Sequence, residues 1–246
     1  MKLYSVINMD IVGSRKIENR ENFQEGLISY FNELNLKYND ILVSPITITL
    51  GDEWQIVLNK PEESYNLVNK IRFFLLKHSV QVYSGIGIGE ISTLVYESPL
   101  KMDGEAFILA REALNIAKDR NNSEKNSSRN RVYFNGIKHS LEGNISREIA
   151  ITSDDDILSL SFNSIINTII ENNEIILSKM TEKQIEAIIL YKEYGTYNKI
   201  IAANKANSKS SISQRLSSSE YLVFEKNSEL INTLLKRYSE VSIDGK

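Results

Sequence analysis

Apolar positions along the first half of the chain switch repeatedly between a two-residue and a 3.6-residue period. Leu3 to Asp10 reads as a buried strand. Phe23, Leu27, Tyr30, Phe31 and Leu34 recur at helical spacing, so Arg20 to Lys37 reads as an amphipathic helix. Ile41 to Leu50 and Trp54 to Leu58 are strand-like, and the Gly51-Asp52-Glu53 break between them predicts a hairpin. Pro61 opens the next helix, because proline is tolerated in a first turn, and Leu67, Ile71, Phe74 and Leu75 mark its inner face. Val80 to Ile91 is a further strand with Gly85, Gly87 and Gly89 at every second position, an open face for a close neighbour. Asp103 to Arg120 reads as a helix with the stripe Phe107, Ala110, Ala113, Leu114 and Ala117.

The order is βαββαβ and then a helix. It predicts an α+β fold, with a mainly antiparallel sheet and helices packed on one side, of the ferredoxin-like type. The run 121–130 has no apolar residue and reads as a loop, and Arg131 to Phe134 reads as a last strand. Beyond it the pattern turns helical. Leu158, Phe162, Ile165, Ile166, Ile169 and Ile170 build a long amphipathic helix toward Met180, and three or four shorter helices follow. The division expected is a sheet-bearing domain over 1–150, a connecting helix over 151–180 and a helical domain over 181–246.

Composition narrows the chemistry. Of 246 residues, 41% are hydrophobic and 25% charged, so a sizeable core is affordable. The net charge of −3 means that any nucleic-acid surface must be local. The lack of cysteine excludes disulfides, thiolate zinc sites and cysteine nucleophiles, and it suits a reducing cytoplasm. No apolar run approaches the length of a membrane span. His78 and His139 lie far apart without a ligand-like spacing.

Candidate chemistry gathers at two strand ends. Asp10 closes the first strand, and Asp52 sits in the hairpin turn. With the hairpin beside the first strand, both carboxylates reach one edge of the sheet. Such a pair suits a divalent cation, Mg²⁺ or Mn²⁺, carrying a nucleotide's phosphates. Ile11, Val12, Gly13, Ser14 and Arg15 follow Asp10 at once, and their backbone N–H groups can cradle phosphate oxygens, with Gly13 permitting close approach. Glu53 is a further acid, but its neighbour position in the hairpin points it to the opposite face. Trp54 reads as core. Taken singly, each motif is also ordinary turn or cap chemistry.

Four segments together resemble the motif series of the SatD family: Asp-Ile-Val-Gly-Ser (10–14), Leu-Gly-Asp-Glu-Trp-Gln (50–55), Gly-Ile-Gly-Ile-Gly-Glu-Ile (85–91) and Asp-Gly-Glu-Ala-Phe…Ala-Arg-Glu-Ala-Leu (103–114). That resemblance implies a nucleotidyl-cyclase-like palm, similar to class III nucleotide cyclases. In those enzymes Asp10 and Asp52 would match the two metal-binding aspartates, and Arg111 the arginine that stabilises developing charge. Two positions depart from the cyclase pattern. Phe107 stands where an Asn is usual, and Ile46 to Leu50 carries no base-selecting Lys. Arg111 is also readable as a surface residue or a salt-bridge partner of Asp103.

The tail carries its own pattern. Thr181-Glu182-Lys183-Gln184 has the form of a capping box. Its helix stops near Gly195, a short helix follows from Tyr197 to Asn204, and Ser208 to Leu216 forms a third after a turn at 205–207. That order resembles the helix-turn-helix of bacterial regulators. Lys209, Ser211, Gln214 and Arg215 would read DNA while Ile212 and Leu216 pack inward. From Gly195 to Ser219 there are three Lys, one Arg and no acid. The long helix before this unit would serve either as a homodimer stalk or as a packing element on the sheet.

Three readings stand. The first is a cytoplasmic regulator that binds nucleotide and metal in its palm and DNA through its tail. The second is an active nucleotidyl cyclase or nucleotidyltransferase. The third is an interaction module with a relic palm.

Overall fold

The computed structural model describes residues 2–119, 130–136, 162–205 and 208–244. Most of the polar run 121–130, Leu158, His139 and the expected boundary at residue 150 lie outside the described residues. So does the turn at 206–207.

Strands β1 (Tyr4–Ile11), β2 (Thr47–Leu50), β3 (Glu53–Leu58), β4 (Val82–Gly89) and β5 (Val132–Gly136) form one mixed sheet in the order β2-β3-β1-β4-β5. The first four are antiparallel to their neighbours, and β5 joins parallel to β4. Strand β3 thus lies between β1 and β2, and β1 between β3 and β4, which interleaves two split βαβ units as the βαββαβ order requires. The strand foreseen from Ile41 is shorter. Pro45 has no N–H to donate, and only Leu42 makes an isolated bridge, to Leu58, before β2 begins at Thr47.

Helices cover both faces of the sheet, not one. Ile7, Met9, Trp54, Ile56, Ile86 and Phe134 face helices α1 (Arg20–Lys37) and α2 (Ser64–Lys77) in the main core. On the reverse face lies α3 (Glu105–Lys118), seated on the glycine ridge of β4. A Cβ on Gly85 would fall 2.2 Å from the backbone nitrogen of Leu114, and one on Gly87 2.2 Å from that of Ala110. The alternating glycines and the small residues Ala106 and Ala110 therefore bring helix and strand into backbone contact.

The outer edge of β5 is closed by side chains of α4 (Phe162–Ser178). Asn167 accepts from the Phe134 N–H at 2.8 Å and donates to its carbonyl at 2.8 Å, and Asn163 treats Gly136 in the same way at 3.2 and 3.1 Å. Two amides thus stand in for a sixth strand and blunt the edge. Ile166 and Ile170 of α4 enter the main core, so its apolar face packs on the sheet side.

Three short helices follow: α5 (Glu182–Tyr194), α6 (Tyr197–Ala202) and α7 (Lys209–Ser218). The Thr181–Gln184 capping box forms, and Gly195 ends α5 at a left-handed φ of 74°. Ile188, Ile200, Ile212 and Leu216 make their shared core. The last element, α8 (Tyr221–Asp244), is 24 residues long and sends Ile231, Leu235 and Tyr238 into the main core. Among the described residues, no helix is long and apolar enough to cross a membrane.

Candidate functional site

The pleat sets the site. On β1, Asn8 and Asp10 point to the α3 face, and across the ladder stand Gln55 opposite Asn8 and Glu53 opposite Asp10. Polar side chains at every second position of two adjacent strands leave this face open where α3 does not cover it. The hairpin turn brings Asp52 to the same sheet end, where its carbonyl accepts the Ile11 N–H at 3.2 Å. Asp10 and Asp52 are therefore neighbours, as the strand order predicts.

Glu53 does not point away. Strand alternation begins only at Glu53 itself, because Asp52 belongs to the turn, and the ladder puts Glu53 directly beside Asp10. Its carboxylate pairs with Arg111 of α3, so Arg111 reaches Glu53 and not Asp103. Lys118, two helical turns after Arg111 on the same helix face, holds Asp10 at 3.0 Å. Arg20 of α1 lies beside the Gly51 turn.

Burial pushes the Asp10 carboxyl above the ordinary aspartate range; Lys118 opposes the rise, and the nearby charges of Asp52 and Glu53 add to it. Carboxylates crowded in this way gain from a further cation. Among the described residues, no group of three or more His, Cys, Asp or Glu is arranged to hold a metal ion unaided. Asp10 and Asp52 alone are fewer donors than a zinc or calcium cage uses. One or two carboxylates, with water and substrate phosphates completing the shell, is the donor set that a magnesium-type ion would take from such a pair.

The turn after β1 is partly committed. The Ile11 and Val12 N–H groups donate to the carbonyls of Asp52 and Gln81, at 3.2 and 2.9 Å. Among the described residues, the N–H groups of Gly13, Ser14 and Arg15 meet no backbone acceptor. Gly13 has a left-handed φ of 64°, which a Cβ would strain, and it turns the chain into the 3-10 helix Ser14–Lys16. The segment able to receive an anion is thus Gly13 to Arg15.

A groove of about 450 Å³ runs from this end under α3. Its floor is Asn8 and Gln55, and Leu100, Phe107 and Ile108 give it apolar walls beside Arg111. Gln55 donates to the Asn8 side-chain oxygen at 2.7 Å, and among the described residues the buried Asn8 amide nitrogen meets no hydrogen-bond partner. Such an orphaned donor, sealed beneath the groove, is costly to keep.

In the tail, Lys209 and Gln214 are exposed on α7, Ser211 and Arg215 are half-buried, and Ile212 and Leu216 are buried. These residues are far along the chain from the acidic strand ends and belong to a separate cluster of helices.

Sequence reasoning missed Lys118, Arg20 and the Asn8–Gln55 floor. The signal for the floor was present: Asn8-x-Asp10 and Glu53-x-Gln55 are polar pairs at period two in otherwise apolar strands.

No curated protein matches the chain. A bacterial light-regulated adenylyl cyclase shows a weak structural likeness, with a TM-score of 0.37 and 14% identity, covering 54% of this chain and 75% of that one. The model of the SatD family matches residues 4–235, nearly the whole chain, and the protein belongs to that family.

Proposed function

We propose that this protein is a regulator that binds a nucleoside triphosphate with Mg²⁺ or Mn²⁺ in a cyclase-like palm and contacts DNA through a helix-turn-helix formed by α5 to α7. The observation that carries the nucleotide reading is the meeting of Asp10 and Asp52 with the Gly13 turn at one sheet end, where Glu53 beside Asp10 also lines an open groove of mixed polar and apolar walls.

Asp10 and Asp52 would hold the metal, whose charge would balance the phosphates. Among the described residues the N–H groups of Gly13, Ser14 and Arg15 meet no backbone acceptor and suit phosphate oxygens, and the Arg15 and Arg20 side chains add positive charge. Lys118 and Arg111 pair with Asp10 and Glu53 and are the cations that a phosphate chain would draw toward itself. Asn8 lies two residues from Asp10 along the strand, roughly 7 Å away. The groove at that distance would take the base, with Gln55, oriented by its bond to Asn8, facing the base edge and Phe107 packing on its ring.

Binding is favoured over turnover. Phe107 is an apolar wall at the position where cyclases usually carry a polar Asn, so one stabilising group for a reacting phosphate is absent. For DNA, the support is the exposed polar face of α7 and a run of four cations without an acid between Gly195 and Ser219, in a chain of net charge −3.

Incubation with Mg²⁺ and each of the four ribonucleoside triphosphates tests the palm, with thermal shift and product both followed. The reading expects stabilisation by at least one nucleotide without product. A product lost in Asp10→Ala and in Asp52→Ala would make the protein a nucleotidyltransferase. No shift with any nucleotide would refute the palm reading. For the tail, Lys209→Ala and Arg215→Ala should each weaken DNA retention and flatten its salt dependence by about one ion. Unchanged retention at low salt would remove DNA from the account.

A further inference from the structure

Helix α3 lies on β4 in a regular step. A Cβ on Gly89 would meet Ala106, one on Gly87 Ala110 and one on Gly85 Leu114, so four helix residues match two strand residues each time. Carried one step further, that register brings Lys118, the last residue of α3, level with Tyr83. Tyr83 is the ladder partner of Asp10. There the Lys118 ammonium meets Asp10, with Nζ 3.0 Å from Oδ2. The close approach of helix and strand depends on the glycines, which holds α3 in this register. The root of the Lys118 side chain is therefore tethered beside Asp10, and its flexible stem is the part free to move. Arg111 pairs with Glu53 and Arg20 lies beside the Gly51 turn. Among the described residues, Lys118 is thus the cation that pairs with a proposed metal ligand.

An ammonium and a divalent cation repel each other when both sit against one carboxylate. The Lys118 and Asp10 side chains are 36% and 20% exposed, so water weakens these forces without cancelling them. A bare ion arriving at Asp10 must push Lys118 aside and leave it without a partner. A triphosphate changes the balance. It brings several negative charges to the same place, and the ammonium gains phosphate oxygens as it gives up the carboxylate. We infer that Lys118 is a tethered counter-ion that makes the palm take metal and phosphate chain together and disfavours the metal alone. This role rests on the nucleotide reading of the palm and adds to it the residue that couples the two ligands. Lys118 acts here as a positioning residue, through Asp10 before binding and through the phosphates after it.

The test compares the wild-type full chain with Lys118→Met, which keeps the apolar stem and removes the charge, and with Lys118→Arg, which keeps the charge. Mn²⁺ alone is titrated first, followed by calorimetry and by the electron paramagnetic resonance of the free ion. The Mn²⁺ complexes of the four ribonucleoside triphosphates are then titrated into the same proteins. Lys118→Met should bind Mn²⁺ alone about tenfold more tightly and the preferred Mn²⁺-nucleotide about tenfold more weakly. Damage to packing would lower both affinities, so the opposite signs mark an exchange of charge. Lys118→Arg should shift both far less. Adding Asp10→Asn to Lys118→Met should remove the gain in Mn²⁺ affinity. If the wild type binds a nucleotide but Lys118→Met leaves either affinity unchanged, or lowers both, the role of Lys118 is overturned and the palm reading stands. If the wild type binds none of the four nucleotides, both are overturned.

Discussion

Asp10 is the residue on which the proposed nucleotide site depends, and its surroundings give the reason. The ladder sets Glu53 on one side and Tyr83 on the other, the turn adds Asp52, and Lys118 reaches over from α3. Burial and the neighbouring acids together hold its carboxyl above the ordinary aspartate range despite Lys118. The sign follows. A group whose folded pKa is raised binds its proton more tightly in the folded state, so the stability it contributes is present at low pH and is lost as pH rises through the raised value. A metal ion held by Asp10, as proposed, would compete with that proton. Mn²⁺ affinity should therefore fall, on acidification, at a higher pH than an exposed aspartate would give, and Asp10→Asn should remove this dependence. Calorimetric Mn²⁺ titrations between mildly acidic and neutral pH check both points. The meeting of the two aspartates was legible because Asp10 closes a strongly apolar strand and Asp52 sits in the turn of the hairpin beside it. Lys118 was not, because no local pattern tells which of several cations on α3 meets β1. Glu53 was misplaced by counting alternation through a turn, where the period of two does not hold.

At the scale of elements, spacing carried the fold as far as each local pattern was undisturbed. Alternating Gly85, Gly87 and Gly89 announced a close neighbour, and α3 is that neighbour, on the face opposite α1 and α2. Which face a helix takes depends on crossover geometry, which local periodicity does not contain. Pro45 shortened β2, and the full length of α8 escaped notice because polar residues interrupt its apolar stripe. The glycine ridge has a measurable consequence. Gly87→Ala drives a Cβ into the backbone of Ala110, which cannot give way as a flexible side chain would. The substitution should cost about 1–3 kcal/mol or more in urea denaturation. Because α3 carries Arg111 and Lys118, it should also weaken nucleotide binding in any fraction that folds.

At the scale of the whole molecule, the tail is fastened to the sheet-bearing part by buried polar groups. Arg72 and Glu174, with side chains 6% and 2% exposed, join α2 to α4. Asn173, fully buried, donates to the Tyr65 hydroxyl of α2 at 3.1 Å and to Ser228 of α8 at 3.2 Å. Partners more than a hundred residues apart in the chain give no sequence signal, which is why this joint was invisible beforehand. Glu174→Ala leaves Arg72 buried and unpaired and should destabilise by about 3–5 kcal/mol, measurable by chemical denaturation. The proposed function requires first that the palm holds a ligand. The decisive measurement is a calorimetric titration of a Mg²⁺-nucleoside triphosphate, for each of the four bases, into the wild type and into the Asp10→Ala Asp52→Ala double variant. Saturable, metal-dependent binding by the wild type that disappears in the double variant is the predicted result. Binding of equal strength by both proteins, or by neither, would contradict the account.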